Sequence, residues 1–268
     1  MAAPNSRQMQ TPRHATPWVW SLGGVLTGLV LATLLFAPAR WLAEVIHHAS
    51  AGQVMLSDAR GTVWTGSARL VLSGGADSLG SVALPGRLSW QLRPAWRAMK
   101  VAVNAPCCMA QALQARLLPR WGGAQLFLGD HQSHWPAGLL AGLGTPWNTV
   151  QAQGLLVAST QGLSVEWLEG RMAMAGQLQI DAQELASRLS TIKPMGSYRL
   201  VITGGALNSL KLDTLAGALQ LSGSGQWVGG RLRFNGIASA APERLDALSN
   251  LLNIIGRRDG ARSVITVG

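Results

Sequence analysis

A Gly-x-apolar-x-apolar unit recurs along the chain: GRLSW from Gly86, GQLQI from Gly176, GALQL from Gly217 and GRLRF from Gly230. Side chains two residues apart share one face of a strand, so each unit specifies a strand with one apolar and one polar face. Glycine in front of each run marks a turn. The same alternation continues between the units. GQVMLSDARGTVWTGSARLVL puts Val54 and Leu56, then Leu70 and Leu72, in period-two positions around a hairpin near Gly61 and Gly66. In GQLQIDA, Leu178 and Ile180 point one way, while Gln177, Gln179 and Asp181 point the other. Gly contributes 32 of 268 residues and only 13% are charged, which suits short strands and many turns better than a helical bundle. The expected fold class is mainly β: an antiparallel multi-strand domain with a few short helices.

Three stretches read as helical. APCCMAQALQARLLPRW is weakly amphipathic. DAQELASRLSTI offers Asp181 as a cap, Leu185 and Leu189 one turn apart, and Pro194 soon after. APERLDALSNLLNIIG carries the strongest signal. Pro242 suits the first turn, Glu243 and Asp246 favour the positive helix start, and Gly256 suits the exit. Leu245, Leu248, Leu252 and Ile255 form one apolar face, expected to pack on the sheet, and ARSVITVG then adds an edge strand.

The amino-terminal region sets the compartment. No residue from Ala15 to Ala39 is charged, and within that run Trp18 to Phe36 would span about 28 Å as a helix. That length matches a bilayer core, and Trp18, Trp20 and Trp41 sit where interfacial aromatics belong. Arg7 and Arg13 precede the run, with no acid before Glu44. The positive-inside rule therefore divides the chain into a cytoplasmic tail at 1–17, a transmembrane helix at 18–39 and a periplasmic β-rich domain at 40–268. LAEVIHHAS is expected to prolong the membrane helix by a turn or two. A cleaved signal peptide, with APA at 37–39 as its cleavage site, competes with this reading. The apolar run is longer than a signal core, which favours the anchor.

The formal charge is +10, with 19 of the 22 basic residues arginine. These are scattered singly and form no basic stripe, so nucleic acid is not the expected partner. Solvated strand faces, or a surface facing anionic lipid or acidic protein, account for the balance. The glycines of SGSGQWVGG miss dinucleotide spacing by one place, and no Gly-Lys pair forms a phosphate loop. His131, His134 and Asp130 could share a metal, but an exposed loop is the expected reading. Adjacent Cys107 and Cys108 are expected to be two buried or idle thiols, with a strained vicinal disulfide or an intermolecular bridge as the alternatives. No catalytic residue, cofactor site or metal site is expected, and no small-molecule substrate.

LPRWGGAQLFLG, WPAGLLAGLGTPWNTVQAQGLL, ASRLSTIKPMGSYRL, LDTLAGALQLSGSGQWVGGRLRFNGIASA and ERLDALSNLLNIIGRRDGARSVITVG together resemble protein N of the type II secretion system, the general secretion pathway. The likeness runs through essentially the whole chain, and LLNIIGRRDGARSVITVG is its most specific part. The resemblance implies a non-catalytic, single-pass inner-membrane protein of Gram-negative bacteria. Its β-rich periplasmic domain would contact other inner-membrane secretion subunits and the secretin, besides membrane lipid. Arg257 and Arg258 are the candidate partner contact. The alternative is an envelope protein that handles lipid in an apolar β-groove. Alkaline phosphatase fused after Gly268 should be active, whereas activity of a cytoplasmic reporter at that position would contradict the topology.

Overall fold

A computed structural model describes residues 18–75, 80–145 and 147–268; the expected cytoplasmic tail at 1–17 lies outside them. The chain divides into two units, Met1–Ala37 and Pro38–Gly268. In the first, α1 (Trp18–Leu35) is apolar around its whole circumference. Among the described residues no helix is long and apolar enough to cross a membrane.

The second unit starts with α2 (Ala39–Ala49), and here the chain departs from expectation. LAEVIHHAS does not prolong the first helix, because Pro38 at φ −69°, ψ 146° is extended and begins a new one. Proline lacks an N–H and disfavours a helical residue before it, so one helix ends and another starts there. The strands follow as β1 (Val54–Gly61), β2 (Thr65–Ser73), β3 (Ser81–Ala83), β4 (Leu88–Ala95), β5 (Ala98–Asn104), β6 (Leu113–Arg120), β7 (Gly123–Leu128) and β8 (His131–Pro136). A 3-10 segment (Ala137–Leu143) and the single turn α3 (Trp147–Val150) come next. Then come β9 (Gln153–Leu168), β10 (Arg171–Ala186), β11 (Gly196–Thr203), β12 (Ser209–Gly217), β13 (Leu219–Val228) and β14 (Arg231–Ala240). Last are α4 (Leu245–Ile255), β15 (Arg257–Asp259) and β16 (Arg262–Val267).

These strands form one 16-stranded sheet in the order β1-β2-β4-β5-β6-β7-β9-β10-β11-β12-β13-β14-β16-β15, with β3 on β2 and β8 on β9. The pairings are antiparallel, as hairpin connections require. Beside β9, the edge is shared: Gly123 to Phe127 of β7 pair with its second half, and β8 pairs with its first half. At the change-over, the Asp130 carboxylate accepts the Gly162 N–H (2.7 Å), and the Thr160 hydroxyl donates to the Gly129 carbonyl (2.9 Å). The ladder therefore changes partner without orphaning its backbone groups.

Two expected helices are strands. DAQELA belongs to β10, which runs past Asp181 to Ala186 through a bulge at Glu184 (φ +50°), and ALQARLLPR belongs largely to β6. Local helix signals lose there to long ladders already in register. Nor does Gly176 open a strand. It lies inside β10 at a bulge with φ +84°, where an added Cβ would stand 2.2 Å from the Gly162 carbonyl oxygen. Only glycine tolerates both conditions.

Register carries the alternation from strand to strand. Leu56 faces Leu70, Trp90 faces Val103, Leu117 faces Leu126, Val165 faces Met174, and Ile180 faces Leu200. Directly opposed residues share a face, so these apolar rows join into one apolar face across the sheet. The other face is polar. On it Arg199 grips Asp181 with two hydrogen bonds (2.7 and 2.8 Å), and Gln179 adds a third at 3.0 Å. The Arg199 hydrogen bonds hold the Asp181 carboxyl below the usual carboxylate range.

Helices cover the apolar face at its two ends. Leu42 of α2 packs with Leu56, Ala68 and a buried Trp90. Leu248, Leu251 and Leu252 of α4, all buried, pack against Tyr198, Leu219 and Ala238. Burial pushes the Tyr198 hydroxyl pKa up, and that hydroxyl donates to the Leu219 carbonyl (3.0 Å). The expected face of α4 thus lacked Leu251, which lies one residue from Leu252 and points inward with it. Truncating Leu252 to Ala should cost about 2–5 kcal/mol. The expected result is a lower denaturation midpoint and a lower level of folded protein. Wild-type stability of that variant would contradict the packing.

Candidate functional site

The carboxy-terminal edge of the sheet is built by α4 and the two strands after it. Gly256 is extended, at φ −170°, and so is not a left-handed cap. It is there for space: a Cβ would meet the Val264 carbonyl oxygen at 2.6 Å. The buried Ser263 hydroxyl donates to the Leu252 carbonyl, tying the last turn of α4 to β16. Arg257, Arg258 and Asp259 form β15, paired with Val264, Ser263 and Arg262. The turn is Gly260 and Ala261. ARSVITV is accordingly not the outermost strand; β15 is.

Strand alternation separates the two candidate arginines. Arg257 shares a face with Val264, and Arg258 shares the opposite face with Ser263. Both are exposed. The three-residue β15 leaves Ile265 to Val267 of β16 unpaired on that side among the described residues. A short, arginine-bearing end strand resists indiscriminate strand addition. It can still accept a carboxylate-bearing partner through bidentate guanidinium contacts or a complementary strand. Arg262, which the sequence does not single out, is brought opposite Asp259 by the register.

Residues noted for possible chemistry have structural work. His131 and His134 pair with Thr160 and Val157, three positions apart on one strand, and therefore face opposite sides. They cannot share a metal, and Asp130 already holds Gly162. Gly223 and Gly225 make room for Phe234, with a Cβ at Gly223 lying 2.4 Å from the phenyl Cζ. The two expected thiols are instead a vicinal disulfide between Cys107 and Cys108. The turn that brings these neighbours together also presents the Cys108 carbonyl to the His134 N–H (2.7 Å), which caps the outer edge of β8. On the polar face an open depression of about 570 Å³ is lined by Lys100, Arg116 and Phe127.

The family model described as type II secretion system (T2SS), protein N matches residues 52–266. The chain belongs to the type II secretion system protein N family. The match starts just after α2 and ends inside β16, so the family corresponds to the sheet, and α1 lies outside the match. Membership ties the chain to type II secretion, and other subunits of that system are its partners. No curated protein and no solved structure matches it.

Proposed function

We propose that this chain is a non-catalytic, inner-membrane-anchored subunit of the type II secretion machine, and that its sheet works in the periplasm through protein–protein contacts. The observation that carries the proposal is the family match across the entire sheet, which ends on the free edge at β15 and β16. Arg257 and Arg258 there are the proposed contact with an acidic surface of another subunit, either an inner-membrane component or the secretin. The anchor rests on sequence: 25 residues from Ala15 to Ala39 carry no charge and extend past both ends of α1.

A second reading, lipid handling, has one observation in its favour. Away from α2 and α4, the apolar face carries half-buried side chains such as Val101, Leu117, Leu126, Leu200 and Ile202. Such a strip could line a groove for acyl chains.

Replacing Arg257 and Arg258 by Ala should leave the level of folded protein normal, because exposed arginines outside ion pairs contribute little stability. Secretion of the exported enzymes should fall, and secretion subunits should be lost from the purified complex. Normal secretion with normal protein level would rule out the contact. Stoichiometric phospholipid copurifying with the wild-type chain, in place of secretion subunits, would support the lipid reading instead.

A further inference from the structure

The two ends of the sheet differ in construction. At one end lie the longer connections, the 3-10 segment, the disulfide turn and α4. At the other end, among the described residues, six hairpins close between Gly61 and Gly66, Ala95 and Ala98, Arg120 and Gly123, Leu168 and Arg171, Thr203 and Ser209, and Val228 and Arg231. Five successive tips in that row expose a large apolar side chain.

Trp96 in the β4–β5 turn is 97% exposed, and Trp121 in the β6–β7 turn is fully so. Trp167 and Met172 flank the β9–β10 turn, Leu207 lies in the β11–β12 turn, and Val228 begins the β13–β14 turn; all are exposed. Scattered exposed hydrophobics need no explanation, but a row of them on adjacent tips does. Arginine accompanies them. Arg97 neighbours Trp96, Arg120 neighbours Trp121, and Arg171 and Arg231 open the return strands of two further tips. Glu169 is the acid within these turns. Tryptophan beside arginine at the end of a polar element is the composition of a membrane interface, where the indole sits at headgroup depth and the guanidinium meets phosphate.

A second observation concerns where the sheet unit begins. Pro38, the first residue of the sheet unit, bridges to Thr62 in the β1–β2 turn, the sixth tip of the row. The sheet unit therefore begins at its own tryptophan-bearing end, directly after the charge-free run in sequence.

We propose that these hairpin tips rest on an anionic phospholipid surface, that of the membrane holding the amino-terminal anchor. The proposal rests on the anchor reading. It makes the sheet stand on the bilayer by one end, with the turns as feet and the opposite end, α4 included, directed away.

The test uses the full chain reconstituted into phosphatidylcholine vesicles with and without phosphatidylglycerol, using lipids brominated along the acyl chain. Tryptophan emission is compared between wild type and the double variant Trp96→Ser, Trp121→Ser; both positions are exposed, so the fold is retained. The emission lost in the variant should be quenched by brominated lipid and shielded from aqueous iodide. Quenching should be stronger with phosphatidylglycerol, and that increment should vanish in about 1 M salt, where screening acts within about 3 Å. If the protein floats with the vesicles while the Trp96 and Trp121 emission is quenched by iodide alone, the anchor stands and the tips face something else, such as a partner protein. Equal quenching with and without phosphatidylglycerol would overturn the assignment to anionic lipid. Failure to float would overturn both the anchor and the tips.

Discussion

The backbone ladder between β9 and β10 holds the sheet together as one body. Each strand is 16 residues long, about twice the length of most others in the sheet. On its far edge β9 serves β7 with one half and β8 with the other, while β10 passes the ladder on to β11. Among the described residues, the ladder passes from the strands before this hairpin to those after it through these two. A backbone N–H or carbonyl left unpaired in the interior is costly, so the ladder is kept whole even at its weakest point. There the Gly162–Gly176 bulge, the Asp130 carboxylate and the Thr160 hydroxyl absorb the change of partner.

Continuity of the ladder has a consequence for packing. Since opposed residues share a face, the apolar alternation of each short strand is added to that of its neighbours, and the result is one wide apolar face. A sheet this wide cannot bury that face with a single helix. The chain uses two, α2 near the first edge and α4 near the last, with the 3-10 segment beside β2, β3 and β9. The carboxy-terminal segment, from Asn250 to Gly268, is therefore part of the fold's closure. It combines the buried leucines of α4, the Ser263 link and the end strands that present Arg257 and Arg258.

The strands were legible because alternation is local: Leu178 and Ile180 against Gln177 and Gln179 specify a strand without reference to anything else. The α4 helix was legible for the same reason, through its leucine spacing. What escaped depends on register. DAQELA carries helix-like spacing, yet it sits at the end of a ladder fixed many residues earlier, and Asp181 is held by Arg199 from the neighbouring strand. Gly176 looked like a strand opener, because the carbonyl it must avoid belongs to Gly162 on β9. Arg257 and Arg258 could be singled out from their place after the helix, but not their separation onto opposite faces. Trp96 and Trp121 are 25 residues apart, and nothing local aligns them; antiparallel pairing places their turns at the same end. The family resemblance lay in the linear motifs and was readable from them.

Amide hydrogen exchange of the membrane-reconstituted chain, followed by peptide mass spectrometry, addresses the ladder directly. Backbone amides paired on both sides exchange through opening of a whole cooperative unit, whereas edges and turns exchange through local fraying. If β9 and β10 join the sheet into one body, peptides spanning residues 153–186 should be among the last to exchange. They should be slower than those covering 257–259 and the hairpin turns by orders of magnitude. Exchange of 153–186 as fast as the turns, with strands on either side protected independently, would contradict a single continuous sheet.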